Sequence, residues 1–518
     1  DVRSIDSLAL PVSLLYLSVE NLSDDEKAVE VEIRFGPEWA PTRRPEEAVA
    51  GSFALPSKRG PLPGIVLRPQ RSQPFTEHHD WPMWGDHLLV VLPSDIPAPS
   101  TVKPPVKAVK TGVASASSLD EVVMAPISAT AWGSFVWNIS LGSRSPREVA
   151  LAFLRLAEVE GIWRDRSPLC YSGLVPYWAV QRKTPEGVIQ YMAHEHESLR
   201  LQAQTVDSHI QELGAPLGED YVRLLEVAYR QVCGAFSVMA DPRDQAAMLI
   251  NKEISSGGFA NTIDVLFPTM PFFLALNPSL LRPQLESVCK ALDLWPWTEP
   301  FAPHDLGQFP RIGGAAYPKP MPLEETSNML LMVAAYVQAT RDTALVQEHW
   351  QRLTQWQQYL VGQGVEPSEQ LFTDDFTGPV ALNAHLALKA TLGVGAYARL
   401  AEWLGEYETA AAAQREFNRM VQEWQQRAWA GDHLVRVYDN PESWCLPYNL
   451  FMARVLDLEV MPPEWWDQEF RFLFSRAQKY GIPLEERFTY TKADWLVWLA
   501  AIAPTPALRD ALIEAVAS

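Results

Sequence analysis

Hydrophobic and polar positions follow two different periods along this chain. From residue 1 to about 165, apolar residues alternate with polar ones or gather in short β-branched runs, as in SLLYLSVEN, VEVEIRF, GIVLRP, HLLVVLP and SFVWNISLG, separated by Pro, Gly and Ser clusters. Period-two alternation turns one face of an extended segment to a core and the other to water, so these runs predict a β-sandwich. The stretch PSDIPAPSTVKPPVKAVK, rich in proline and lysine, predicts an exposed loop within or beside it.

From about residue 200 the spacing becomes helical. YVRLLEVAYRQVCGAFSVM, LRPQLESVCKALDLW, SNMLLMVAAYVQAT, NAHLALKATLGVGAYARLAEWLG and YETAAAAQREFNRMVQEWQQRA each gather apolar residues on one face. Continuing through FMARVLDL to ALRDALIEAVA gives about a dozen helices, paired across short polar or Gly and Pro loops. No strict repeat is visible, which disfavours a regular solenoid. The count matches an (α/α)6 toroid, and a spiral of helix pairs satisfies the same arithmetic. The expected organisation is a β-sandwich over 1–165, a linker over 166–200 and a helical catalytic domain over 201–518.

Composition narrows the function. With 518 residues, more than one core is expected. A formal charge of −20 argues against nucleic-acid partners, whose binding runs on clustered Lys and Arg. No window approaches the length of apolar chain a membrane span needs. The chain starts at Asp1 rather than Met, which points to a processed or trimmed soluble protein and leaves the compartment open. Cys170, Cys233, Cys289 and Cys445 are scattered without CxxC spacing, so neither a zinc site nor a disulfide framework is expected, and no metal or cofactor is called for. The 19 tryptophans suit sugar-stacking platforms and large helical cores equally.

Loops carried on a rigid scaffold host most chemistry, and four non-periodic segments stand out: NKEISSGGFANTIDVLFP, FAPHDLGQFPRIGG, LFTDDFTGP and YGIPLEERFTYTKADW. In TDDFTGP, Asp374 and Asp375 are adjacent and flanked by Phe372 and Phe376. If that loop is buried, repulsion and desolvation raise one carboxyl pKa, as a general acid requires; the bland alternative is a helix cap. Lys252 and Glu253 precede a glycine pair, where backbone approaches a ligand closely, with Asp264 following. His304 and Asp305 in APHDLG can orient a hydroxyl or merely cap a turn. Glu324 and Glu325 sit where acids are expected electrostatically, in the first turn of a helix, and are weaker candidates. Glu485, Glu486, Arg487 and Lys492 surround aromatics, a mixture suited to polar rings and to an ordinary rim alike. SVCK at Ser287 to Lys290 lies inside an amphipathic helix without companion motifs, and HEHE at His194 to Glu197 lacks metal-ligand spacing; both read as chance.

The run from about Tyr229 to Ala500, with AYRQ, KE followed by SSGGFANTIDV, APHDLG, MPLEETSNM, LFTDDFTG, NAHLALKA and YTKADW, resembles the fungal and bacterial glutaminase A family. PVSLLYLSVEN is similar to that family's β domain, and relative to its usual members the chain looks shortened at the N-terminus. More distantly, the loops resemble the non-lysosomal glucosylceramidase and β-glucosidase family of glycoside hydrolases. That resemblance implies Glu253 as nucleophile and Asp375 as acid/base, with Asp264, His304 and Asp305 binding or supporting a sugar; Asp374, beside the acid/base, is a further substrate-binding candidate. Lys492 stands about where that family has an Arg, and Glu485 is a counterpart of its sugar-binding Glu. The two resemblances imply different reactions on a small-molecule substrate. One is retaining exo-glycosidase chemistry, which needs its two carboxyl groups about 5–5.5 Å apart. The other is hydrolysis of the glutamine side-chain amide, which normally asks for an activated hydroxyl, thiol or metal-bound water; Thr373, Ser255 and Ser256 are the hydroxyls near the acids. A non-catalytic carbohydrate-binding protein is the third reading.

Overall fold

The computed structural model describes residues 4–39, 47–70, 86–106, 116, 118–128, 130–144, 146–156, 174–241, 244–253, 257–295, 297–309 and 312–518. Ser255 and Ser256, Cys170 and part of the proline- and lysine-rich stretch lie outside them.

The N-terminal region is β-rich. Its strands are β1 (Val12–Glu20), β2 (Lys27–Phe35), β3 (Ala48–Leu55), β4 (Leu62–Pro69), β5 (Asp86–Leu92), β6 (Thr101–Lys103), β7 (Ala125–Pro126), β8 (Gly133–Leu141) and β9 (Pro146–Leu156). They form a six-stranded sheet in the order β1-β9-β5-β4-β3-β7 and a three-stranded sheet in the order β2-β8-β6. Alternation works as the pattern predicts: in β8, Phe135, Trp137, Ile139 and Leu141 turn inward and join Ile65, Leu67, Leu89 and Val149 of the larger sheet in one apolar cluster. In β4 the run is buried almost throughout, because Leu62 and Val66 face a second cluster on the other side of the same sheet.

That second cluster is closed by a helix in the stretch expected as a linker. After α1 (Ile5–Leu8), helices α2 (Tyr177–Arg182) and α3 (Pro185–Gly214) follow, and α3 lays Val188, Ile189, Met192 and Ala193 against Leu88, Val90, Ala150 and Ala152. The local signal was present: the Thr184 hydroxyl accepts from the Gly187 amide at 3.1 Å and Pro185 opens the first turn. Period alone missed it because the apolar face of α3 is short and its second half is solvated. The HEHE run lies on α3, where the Tyr16 hydroxyl meets His196 Nδ1 at 3.0 Å, an anchor to β1.

The remainder is helix-rich. The helices are α4 (Glu219–Ala235), α5 (Ile263–Leu276), α6 (Leu281–Leu294), α7 (Pro322–Thr340), α8 (Ala344–Glu348), α9 (Trp350–Gln363), α10 (Ala384–Leu404), α11 (Tyr407–Ala428), α12 (Leu450–Val455), α13 (Pro463–Phe474), α14 (Ala493–Ala501) and α15 (Pro506–Ala517). Two kinds alternate. α7 and α10 are buried nearly all round, whereas α4, α9 and α11 show a single apolar face. Small residues let the buried helices come close: a Cβ added at Gly393 of α10 would sit 2.7 Å from Leu360 of α9. The last helix, α15, packs back on α4. After α4, β11 (Phe236–Ala240) and β12 (Ala247–Asn251) join β10 (Val175–Pro176), from just before α2, in a small antiparallel sheet that ends beside the KE pair. The segment after it, read as non-periodic, is helical in α5 despite Pro268 and Pro271; burial of Ile263, Leu266, Phe267, Met270 and Phe273 outweighs the lost backbone bonds. No described helix is long and apolar enough to cross a membrane.

Candidate active site

The site forms where the loops after β12, after α6 and after α9 converge. Glu253 is the second residue past β12. Its amide donates to the Phe259 carbonyl at 2.9 Å, and its Oε2 accepts from the Phe259 amide at 3.3 Å. Gly257 is required there, since a Cβ would stand 2.0 Å from the Phe259 ring. The PHDLG loop is laced to this segment by backbone bonds from Ala260 to Gly307 (2.7 Å), Leu306 to Ala260 (2.9 Å) and Ile263 to His304 (2.9 Å).

Asp305, fully buried, organises its own loop. Oδ1 accepts from the Gly307 and Ala316 amides, both at 2.8 Å, and Oδ2 accepts from the Tyr317 amide at 3.0 Å while meeting His304 Nδ1 at 2.9 Å. It therefore supports the site through His304 and Tyr317. The His304 ring stacks on Tyr317 with centroids 4.2 Å apart, and Phe259 meets it edge-on. Burial works to lower the His304 pKa, but the bond to Asp305 and the charges of Asp264, Asp305 and Glu253 outweigh it and raise it.

The Tyr317 hydroxyl donates to Asp375 Oδ2 at 2.9 Å. Burial, then this hydrogen bond, push the tyrosine up to about 12, so it stays a donor. The adjacent acids have different surroundings. Asp374 is 1 % exposed and accepts from the Tyr448 hydroxyl at 2.9 Å and Trp495 Nε1 at 3.1 Å, with Lys492 Nζ at 3.4 Å. Asp375 opens a short 3-10 turn and is half-buried. Expected as a substrate contact, Asp374 has protein partners on both oxygens, while Asp375 is the less buried of the two.

Behind these residues lies a buried charge cluster. Glu324 and Lys389, both essentially inaccessible, form an ion pair across α7 and α10, and Lys389 Nζ lies 4.3 Å from the Phe267 ring centroid. Asn328 donates to Glu324 and Glu325, each at 3.2 Å. Burial first, then Asp264 and Glu324, drive Glu325 well above the carboxylate range. Burial also lifts Asp264 to about 6, with Glu324 and Glu253 adding to it and His304 and Lys389 opposing. Glu253, Asp264, His304, Tyr317 and Asp375 are thus one electrostatic group.

Of the C-terminal candidates, Lys492 joins through Asp374 and is raised by Asp374 and Asp494 against the effect of burial. Glu485 is 2 % exposed and held by Arg487, with Arg436 Nε at 3.8 Å; Arg487 also donates to the Thr377 carbonyl at 3.2 Å, tying this loop to the Asp375 turn. Tyr317, Lys389, Tyr448 and Arg436 were not singled out from sequence, whereas Arg487 was. Only Lys389, a lone cation on a helix apolar all round, left a readable signal.

Fold and site together define a helical-hairpin domain whose loops converge on buried carboxylates. Residues 218–518 match the glutaminase A six helical-hairpin domain, and the chain belongs to that family. It is 31% identical to glutaminase A of Aspergillus oryzae (strain ATCC 42149 / RIB 40) over 75% of this chain and 57% of that protein. A probable glutaminase of Arthroderma benhamiae (strain ATCC MYA-4681 / CBS 112371) is 27% identical over 58% of this chain and 44% of that protein. The chain spans about half the length of the curated relatives it matches. Among solved structures, a bacterial glucoamylase complexed with acarbose aligns with TM-score 0.43 and 10% identity over 94% of this chain and 79% of that one. A family GH92 α-mannosidase from Bacteroides thetaiotaomicron aligns with TM-score 0.38 and 11% identity over 91% of this chain and 58% of that one.

Proposed function

We propose that the chain is a hydrolase whose helical region closes as an (α/α)6 toroid and whose chemistry is retaining glycoside cleavage. Glu253 attacks the anomeric carbon, and Asp375 protonates the leaving oxygen and then activates water. The alternation of all-round buried and one-faced helices, with α15 packed on α4, supports the toroid. The observation that carries the chemistry is the less buried Asp375 carboxylate, hydrogen-bonded by Tyr317 within one electrostatic group with Glu253 and Asp264. In this reading Asp264 and His304 orient sugar hydroxyls, Asp305, Asp374 and Lys492 hold the scaffold, and Glu485 faces the sugar's far side. The domain then spans about 201–518, downstream of the β-rich region.

The second reading, amide hydrolysis of glutamine, is favoured by the name of the Aspergillus oryzae relative. Against it, burial pushes the Cys445 thiol well above its ordinary pKa, and among the described residues the buried hydroxyls of Thr262 and Thr377 have no hydrogen-bond partner to act as base; of the hydroxyls near the acids in sequence, Ser255 and Ser256 lie outside the described residues. The test is a panel of chromogenic glycosides beside an ammonia-release assay with glutamine, on wild type, Glu253→Gln and Asp375→Asn. Glycoside turnover lost in both variants supports the proposal. Ammonia release that survives Glu253→Gln, without glycoside turnover, overturns it.

A further inference from the structure

We propose that Asp264, His304 and Glu325 form a binding site for one divalent transition-metal ion, of the Zn2+ or Mn2+ class. One ligand atom from each, two carboxylate oxygens and a ring nitrogen, lie within 4.8 Å of one another. The acids do not merely cluster: Asp264 Oδ1, on a residue 9 % exposed, and Glu325 Oε1, on a residue with no exposure, are both buried without a hydrogen-bond partner among the described residues. A buried carboxylate oxygen without a donor is costly, and two in one place need a shared positive charge. Lys389 supplies it only in part, because its ammonium, though its charge reaches both acids, is ion-paired with Glu324.

The third ligand is arranged for the task. Asp305 meets His304 Nδ1 at 2.9 Å and is itself fixed by three backbone amides. A carboxylate behind an imidazole in this way sets the ring's tautomer and orientation and leaves Nε2 to a metal. The mixed imidazole and carboxylate set suits Zn2+ or Mn2+ better than Ca2+, which takes oxygen ligands throughout. Two ligands at about 2.2 Å on opposite sides of an ion stand about 4.4 Å apart, so the 4.8 Å spread closes with a small rotamer adjustment. Three protein ligands leave positions open to oxygen atoms of a substrate, whether hydroxyl, carboxylate or amide. The inference shares Asp264 and His304 with the glycosidase reading but not its nucleophile or acid/base, Glu253 and Asp375, so metal binding and glycoside turnover are scored separately.

The test uses the full chain, stripped with a chelator and titrated with ZnCl2, MnCl2 or CaCl2 by calorimetry, with metal content measured after desalting. The expected result is one Zn2+ or Mn2+ per chain, weakened at least tenfold by Glu325→Gln. Glu286→Gln should leave it unchanged; that residue belongs to a separate group with Glu348 and His349 and serves as the control. Absence of stoichiometric binding, preference for Ca2+, or binding that responds to Glu286→Gln and not to Glu325→Gln overturns the proposal; the surplus charge is then carried by protons. Should Glu325→Gln not fold, Asp264→Asn is titrated in its place: binding weakened at least tenfold supports the site, and unchanged binding overturns it.

Discussion

The buried pair of Glu324 and Lys389 sets a quantitative test of how charge is held behind the site. Replacing Lys389 with Met keeps the length of the side chain and removes its ammonium, leaving Glu324 with the single donor Asn328 in a place it cannot leave. Breaking a buried pair from one side typically costs about 3–5 kcal/mol. The carboxyl has another way out, which is to take a proton. Holding a glutamate protonated at pH 7 costs about 4 kcal/mol and at pH 5 only about 1 kcal/mol. The destabilisation therefore has a ceiling that falls with pH: close to 4 kcal/mol at neutral pH and close to 1 kcal/mol at pH 5. Over the roughly 300 residues of the helical domain, the larger figure corresponds to a melting point lower by about 6 °C. Thermal unfolding of wild type, Lys389→Met and the double variant Lys389→Met with Glu324→Gln, at both pH values, provides the assay. The double variant should regain most of the loss at pH 7. A loss equal at the two pH values, or a double variant no better than the single one, refutes the reasoning.

Other expectations follow from the same geometry. Asp375→Asn should reduce kcat by about 10²–10⁴-fold with an unchanged melting point, measured on whichever substrate the screen identifies. Tyr317→Phe removes one hydrogen bond to that carboxylate and should lower kcat about tenfold while leaving the fold intact, as circular dichroism would report. Glu469, 1 % exposed, is lifted by burial to about 8 although its Oε2 accepts from the Leu434 amide at 2.6 Å. Because its folded pKa lies above the unfolded one, the native state is unaffected below about pH 4.5 and loses stability as pH rises towards 8. Glu469→Gln should thus raise the melting point at pH 8, by at most about 5 kcal/mol of stability, and leave it unchanged at pH 4. An equal shift at both would show that the carboxyl is not titrating.

Much of the architecture was legible because period reports burial directly. Val29, Val31, Ile33 and Phe35 of β2 alternate with Glu30, Glu32 and Arg34 in sequence and in exposure alike. Period misleads where a single element spans two environments. Helix α3 packs against a sheet over its first turns and is solvated beyond them, so its apolar positions never sustain a stripe. Helix α5 carries two prolines that argue against a helix locally, and only burial of its apolar residues overrides them. Candidate residues that the fold brings near one another were legible where unusual types gathered in a loop, as at Glu253, His304 and Asp375. Tyr317 was invisible for the opposite reason: it is an aromatic among glycines and prolines, and only the fold brings its hydroxyl to an acid 58 positions away.

The two acids of TDDFTG illustrate why residue type alone could not assign roles. Both had the same neighbours in sequence, and either fits a general acid. What separates them is which side of a tight turn each occupies. Asp374 points into the helices, where Tyr448 and Trp495 donate to it and Lys492 neutralises it. Those contacts come from the segment before α12, from α14 and from the residue preceding α14, so one carboxylate pins the turn to three points of the domain. Asp375 begins the turn on the other side, touching Tyr317 from a loop that Asp305 has already fixed through backbone amides. An acid/base must keep its position while its charge changes, and a neutral tyrosine hydroxyl constrains it without forbidding protonation. Under the proposed reading the sequence pair is a division of labour, in which Asp374 pins the turn and its less buried neighbour faces the substrate.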